Sequence, residues 1–204
     1  MTTSTSREFF EQLYRADPDP WGFENDEYEL DRYARVLDHI DIGRHRTAFE
    51  PGCSVGVLTE LLSTVCEEVL AVDIAAPAVE QARRRCEGRD GVRVEVGALP
   101  DALPTGPIDL IVFSEIGYYF TRPELIVLAD RLSATLAPGG RLIAAHWLGT
   151  SVDHVLHGRE VHRILDDSLS LAHVASSEHR WSPPSAHGDG PEKAFVLGVW
   201  DAPV

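Results

Sequence analysis

Apolar positions along the chain change their period several times, and those changes divide it into elements. Residues Arg7 to Ala16 have the apolar spacing of a short helix, with Phe9, Phe10 and Leu13 on one face and Ser6 in the N-cap position. A second helix is expected over Glu27 to Ile40, presenting Tyr33, Val36, Leu37 and Ile40. The intervening Asp17-Pro18-Asp19-Pro20-Trp21-Gly22-Phe23 is too rich in proline for regular structure. From Arg46 onward strands and helices alternate. A strand ends at Phe49, a helix follows from Val57 to Leu62, a strand runs from Glu68 to Asp73, and a helix runs from Pro77 to Cys86. A strand over Val92–Val96 comes next, then an apolar strand from Ile108 to Glu115, a helix from Glu124 to Leu136 stopped by Pro138-Gly139-Gly140, and a strand from Arg141 to Trp147.

This alternation predicts an α/β, Rossmann-like doubly wound sheet of about seven strands. It stops after Trp147. Val152 to Gly158 is irregular, Glu160 to Leu165 is a short helix, and strands near Leu171–Trp181 and Ala194–Trp200 flank a Pro/Gly-rich hairpin turn at Ser182–Pro191. The expectation is one domain over residues 1–204, with an N-terminal helical lid (1–45), a core (46–204) and a C-terminal antiparallel hairpin.

The turn Phe49-Glu50-Pro51-Gly52-Cys53-Ser54-Val55-Gly56-Val57-Leu58 joins the first strand to its helix. Glycines there permit positive φ and close backbone approach, and the helix N-terminus offers unpaired N–H groups, so a nucleotide-like cofactor can lie against main chain. A dinucleotide fingerprint needs glycines where Gly52, Ser54 and Val57 stand, and only one of the three matches. That weighs against a nicotinamide-dependent oxidoreductase. An acidic residue followed by small residues at every second position (Glu50, Gly52, Ser54, Gly56) is instead similar to motif I of class I S-adenosylmethionine (SAM)-dependent methyltransferases, with Ser54 replacing the usual middle glycine. SAM carries an ammonium and a sulfonium but no phosphate, so an acid at the strand end suits it. Asp73 ends the next strand seventeen positions after Gly56, close to the ~20 expected of an acid that accepts from ribose hydroxyls. Trp21, Tyr28 and Arg32 either clamp a ligand or anchor the lid to the sheet edge.

Composition narrows the classes. With 33 acidic and 18 basic residues the net charge is −15, which argues against a nucleic-acid partner. The run Arg83-Arg84-Arg85 complements a helix C-terminus. Cys53, Cys66 and Cys86 form no C-x-x-C pair, as expected of reduced thiols in a cytoplasmic protein. No apolar run reaches the ~20 residues of a membrane span, and Met1 to Ser6 lacks a signal-peptide layout. His154 and His157 are spaced i, i+3 but have no thiolate or carboxylate to complete a zinc set, so no metal site is expected. A monomer or homodimer with a small-molecule substrate is expected.

Together with Asp19-Pro20-Trp21-Gly22-Phe23, Tyr28 to Tyr33, Ser114-Glu115-Ile116-Gly117-Tyr118-Tyr119, Leu136 to Gly140, His146-Trp147 and Gly158 to His162, the chain resembles the nodulation protein S-like subfamily of SAM-dependent methyltransferases. The resemblance implies transfer of a methyl from SAM, with S-adenosylhomocysteine as product, to an amine on a sugar-like acceptor. O-methylation of a hydroxyl, or SAM binding without turnover, are the alternatives. It further implies a cofactor site built from Trp21, Arg32, Glu50, Gly52, Cys53, Ser54, Gly56, Asp73, Ile74, Ala98, Leu99 and Ser114. Gly97-Ala98 stands where the methyltransferases commonly carry an adenine-binding acid. Glu115, His146, Tyr118 and Tyr119 are the groups expected near the transferred methyl, with Glu115 or His146 as base and the tyrosines as walls.

Overall fold

A computed structural model describes residues 6–182 and 193–204. The expected hairpin turn at Ser182–Pro191 therefore lies outside the described residues beyond Ser182. Helices α1 (Arg7–Ala16) and α2 (Glu27–Leu37) precede β1 (Thr47–Pro51), α3 (Val57–Leu62), β2 (Glu68–Asp73), α4 (Ala76–Arg85), β3 (Val92–Val96) and β4 (Ile108–Ser114). A short 3-10 turn, Gly117–Tyr119, leads into α5 (Arg122–Thr135), β5 (Leu136–Trp147), α6 (Gly158–Ser168), β6 (Ala172–Trp181) and β7 (Lys193–Asp201).

The seven strands lie in the order β3-β2-β1-β4-β5-β7-β6. β1 to β5 are parallel, and β7 runs antiparallel between β5 and β6. The order reverses at β1 and β4, so the crevice of the fold opens at their carboxyl ends. Successive strand residues serve opposite faces, as the two-residue period dictates. Ala48, Leu110, Val112, Ile143 and Ala145 pack with α1, α2 and α3 on one face. Phe49, Ile111, Phe113, Leu142 and Ala144 pack with α5 and α6 on the other. Buried strands with apolar residues on both sides follow directly from this two-layer cover.

Several boundaries differ from the sequence expectation for local reasons. α5 starts at Arg122 because Thr121 caps it, its N–H donating to the Glu124 carboxylate at 2.8 Å. It ends at Thr135, and Leu136 already pairs with Ile108; the register then shifts before Leu110 meets Arg141, which leaves Ala137 to Gly140 as a bulge around Gly139 at φ +71°. α6 is longer than expected because His157 caps it, accepting from the Arg159 N–H at 3.2 Å. In α1 the inward residues are Phe10 and Tyr14, whereas Phe9 is 38% exposed. α2 joins the helical layer, with Val36 fully buried, and its first residues, Tyr28 and Glu29, join α1 and the turn after it as cover. Among the described residues no helix is long and apolar enough to cross a membrane.

Candidate active site

The loop after β1 is fixed by main-chain bonds to its neighbour: the N–H groups of Gly52 and Cys53 both donate to the Val72 carbonyl, at 2.7 and 3.0 Å. Gly52 has φ +78°, and a Cβ there would lie 2.3 Å from Ile116 Cγ2, so glycine is required twice over. Ser54 takes φ +50°, a left-handed conformation costly for any residue with a Cβ. Its N–H donates to Asp73 Oδ2 at 3.0 Å, while Oδ1 accepts from the Ala75 N–H at 2.8 Å. Burial raises Asp73 to about 6 against the opposing effect of these N–H bonds. Two oxygens at the end of β2 are thereby aimed by backbone donors and stay beside the loop.

A cavity of about 460 Å³ opens over these strand ends, a size suited to small ligands. Its β2 and β3 side is formed by Val72, Asp73, Ile74, Gly97, Ala98 and Leu99, and its floor by Pro51, Gly52 and Ser54. Glu115, Ile116, Tyr118, Tyr119, Phe120, Trp147, Thr150, Ser151 and His154 line the β4 and β5 side, and Phe10, Tyr14, Trp21, Phe23, Tyr28, Glu29 and Lys193 complete it. A small recess of about 30 Å³ shares Phe23, Gly52, Ser54 and Glu115 with this cavity and adds Arg32, Glu50, Cys53 and Ser114. Arg32 is buried there. Its Nε donates to Glu29 Oε2 at 3.1 Å and its Nη1 to Ser114 Oγ at 2.5 Å, and Glu115 Oε1 lies 3.8 Å from Nε.

Glu115, directly after β4, has φ +58°. Its Oε1 accepts from the Trp147 N–H at 2.8 Å, and its Oε2 accepts from the Tyr118 hydroxyl. Burial raises its pKa, while Arg32 and those two donors hold it back and Glu29 adds to the rise. A strained carboxylate with both oxygens fixed at a ligand cavity is a pre-organised acceptor. Tyr118 also stacks on His154, with centroids 3.7 Å apart at 15°, and Tyr119 meets Phe10 edge-on at 4.9 Å.

Two expectations need correction. His146 does not reach the cavity: it is fully buried, its Nε2 accepting from the Gly117 N–H at 3.0 Å and its Nδ1 lying 3.1 Å from His162 Nε2. Burial pushes its pKa well below the usual histidine range, with His162 adding to the fall. Gly56 lines neither cavity nor recess; it is a packing glycine whose Cβ would meet Ala82 Cα at 2.8 Å. Glu50 lines the recess, where burial raises its carboxyl to about 8 against the opposing effect of the hydrogen bond it accepts from Thr59 Oγ1 at 2.6 Å. Cys53 forms part of the recess, with its thiol pushed up by burial. Among the described residues no group of three or more His, Cys, Asp or Glu side chains could hold a metal. His157 instead caps α6, with Nε2 2.9 Å from the Leu148 carbonyl oxygen.

The sequence does not single out Phe10, Tyr14 or Glu29 as cavity-forming side chains. Glu29 has a local signal, its i, i+3 spacing to Arg32. Tyr14 has none, since it comes to the cavity only through tertiary packing.

The profile of the nodulation protein S (NodS) family matches residues 3–173. Nodulation protein S of Bradyrhizobium diazoefficiens is 31% identical over 146 residues, covering 70% of this chain and 69% of that protein. Nodulation protein S of Rhizobium tropici is 30% identical over 130 residues, and the match covers 63% of this chain but only 55% of that relative's length. In solved structures, the N-methyltransferase NodS from Bradyrhizobium japonicum WM9, in complex with S-adenosylhomocysteine, has the same fold, with a TM-score of 0.77 at 23% identity over 96% of this chain and 98% of that one.

Proposed function

This chain belongs to the nodulation protein S family, and from that premise we propose that it is a SAM-dependent methyltransferase acting on an amine of a small, sugar-like acceptor. The observation that carries the reading is that the carboxylates of Asp73 and Glu115, at strand ends on either side of β1, line one cavity. The residues present suit the cofactor: an aimed acid for ribose hydroxyls, a glycine floor, and an apolar wall for adenine at Ile74, Ala98 and Leu99. Arg32 and Ser114 in the recess would receive the methionyl end, and Trp21 would cover it.

SAM supplies an electrophilic methyl group, so the protein has to align a nucleophile and take its proton. Glu115 does both in this reading. Its oxygens each keep a lone pair beyond those given to Trp147 and Tyr118, so it can accept from an ammonium and, on deprotonation, orient the neutral amine. Of the charged groups lining the cavity, Lys193 is paired with Asp26 and Glu29 with Arg32, which leaves the carboxylates of Asp73 and Glu115 to favour a cationic acceptor. Tyr118, Tyr119, Trp147 and His154 provide flat faces for an alkyl or sugar-like body, and Thr150 and Ser151 provide hydroxyls. A hydroxyl acceptor has a much higher pKa than an ammonium and needs a stronger base than a carboxylate, which ranks O-methylation second.

The test is a screen of amino sugars and simple amines against matched hydroxyl compounds, read by S-adenosylhomocysteine release. Amine acceptors are expected to turn over. Turnover of hydroxyl compounds alone would replace the acceptor assignment, and failure to bind SAM or S-adenosylhomocysteine would remove the whole reading.

A further inference from the structure

His154 is held rigidly over the cavity while one of its ring nitrogens lacks a partner. The segment that carries it is fixed to the turn after β4: the N–H groups of Val155 and Leu156 both donate to the Tyr118 carbonyl, at 2.8 and 3.1 Å, and the His154 N–H donates to the Ser151 carbonyl at 3.2 Å. The ring lies flat on Tyr118 and meets Tyr119 and Trp147 edge-on, with centroids 5.4 and 6.0 Å away at 88° and 84°. Backbone and ring are both held, so the direction of each ring nitrogen is set.

Nδ1 is buried and has no hydrogen-bonding partner among the described residues. A ring needed only for stacking would be better made by phenylalanine, which has no polar atom to bury. The histidine has to be explained by its other nitrogen, since Nε2 is the one through which this cavity-lining ring can meet a ligand. Burial lowers the pKa of His154 below the usual histidine range, with Asp153 opposing, so the ring is neutral near pH 7. A neutral imidazole has one N–H, and a buried N–H without an acceptor is rarer and costlier than a bare lone pair, which places the proton on Nε2. His154 thus presents a hydrogen-bond donor to the cavity.

We propose that His154 is a specificity-determining residue that donates from Nε2 to an oxygen of the acceptor, carried on the carbon next to the one bearing the amine. This rests on the reading of the cavity as a site of amine methylation, with Glu115 receiving the amine. Glu115 and His154 share one ring: the Tyr118 hydroxyl donates to Glu115, and the Tyr118 face carries His154. An amine held at Glu115 therefore brings its neighbouring atoms, rather than its far end, beside Nε2. The two groups differ in sense, because an ionised carboxylate only accepts and the imidazole N–H only donates. The substrate class that satisfies both is a vicinal amino alcohol, not a plain alkylamine. Such a site rejects an analogue lacking the oxygen, because its N–H is then left unpaired in a desolvated cavity.

Two measurements on the full chain test this. In a two-bond nitrogen–proton correlation spectrum of isotope-labelled protein near neutral pH, with His154→Phe or His154→Gln to assign the signals, His154 should show a protonated Nε2 and a bare Nδ1. A protonated Nδ1 overturns the proposal without any ligand. Matched pairs, vicinal trans-aminocyclohexanol against cyclohexylamine and serinol against isopropylamine, are then compared by kcat/KM and by calorimetric binding to the chain saturated with S-adenosylhomocysteine. The unaltered chain should favour the amino alcohol about tenfold, as one hydrogen bond in a desolvated site allows. The ratio should fall to about one in His154→Phe, which keeps the stack, and recover in large part in His154→Gln, which keeps a donor. The lower basicity of an amino alcohol acts equally in every variant, and a merely structural role for His154 would change both members of a pair alike, so the change in ratio isolates the hydrogen bond. Amines methylated without preference by the unaltered chain, or a preference that survives His154→Phe, overturn the proposal and leave the amine reading standing. Absence of methylation and binding for every amine overturns both.

Discussion

His146 donates its Nδ1 proton to Nε2 of His162 across 3.1 Å. The direction follows from the other side of the ring. Nε2 of His146 accepts from the Gly117 N–H and so carries no proton, which leaves the proton of the neutral ring on Nδ1. The pair ties α6 to the turn after β4, and it is a brace for the site rather than part of its chemistry.

Both rings must stay neutral to keep this arrangement, which gives a signed pH dependence. Burial lowers His162 to about 3, with His173 contributing. The unfolded chain, titrating near 6.5, binds the extra proton first, so His162 stabilises the fold fully above about 6.5 and loses that contribution as pH falls towards 3. The difference in unfolding free energy between the unaltered chain and His162→Gln should shrink by up to about 1.4 kcal/mol per pH unit over that window. Urea titrations at pH 7, 5.5 and 4.5 measure it, and a difference that stays constant would contradict the buried neutral pair.

Asp73 predicts a pH dependence of binding. Its carboxylate is raised to about 6, chiefly by burial, and only the ionised form can accept from two ribose hydroxyls while also holding Ser54 and Ala75. S-adenosylhomocysteine affinity should fall as pH drops through about 6. Asp73→Asn should bind about ten- to a hundredfold more weakly and show a flat profile across that range, since losing one charged acceptor costs roughly 1.5–3 kcal/mol. Calorimetry on both proteins decides it; an Asp73→Asn variant with undiminished affinity would put the ribose elsewhere.

Gly56 should behave as a packing residue. A Cβ at φ +82° and 2.8 Å from both Ala82 Cα and Cβ has nowhere to go, because Ala82 is itself fully buried on α4. Gly56→Ala is expected to lower stability by about 2–4 kcal/mol through combined strain and overpacking. Its folded fraction should still bind S-adenosylhomocysteine with near-normal affinity. Denaturant unfolding paired with a binding isotherm separates the two effects.

The contrast between Gly52 and Gly56 marks how far the sequence could be read. Both belong to a legible strand-turn-helix motif, and both adopt positive φ. Only the tertiary structure reveals that Ile116 crowds the first and α4 the second. The alternation that predicts the sheet is local and therefore visible, as is the acid at the end of β2. His146 looked like a site residue because β5 carries it to the right end of the sheet. Alternation of faces decides otherwise: its neighbour Trp147 lines the cavity while His146 points to α6. His154 reaches the cavity from an irregular segment, where no period forecasts direction. Tyr14 was hidden for another reason, since a tyrosine on the apolar face of a helix has the same spacing whether it meets core or ligand.

Glu115 gives the most direct test of the chemistry. If it takes the acceptor's proton, Glu115→Gln should lower kcat by about 10²–10⁴ while S-adenosylhomocysteine binding persists, because glutamine keeps the shape and loses the base. Its partner then sets the pH at which the base works. The Tyr118 hydroxyl bond lowers the pKa of Glu115, against burial, which raises it. Tyr118→Phe removes that donor and leaves the carboxylate in a drier site with less to hold its charge. Glu115 must then be pushed higher, and the acid limb of the pH–rate profile should move to higher pH. A purely packing role for Tyr118 would leave the profile where it is, since Phe retains the ring that stacks on His154. Methyl transfer to an amine acceptor, followed from pH 5 to 9 in the unaltered chain and in Tyr118→Phe, distinguishes these outcomes. An acid limb that does not move would exclude Glu115 as the base that Tyr118 tunes.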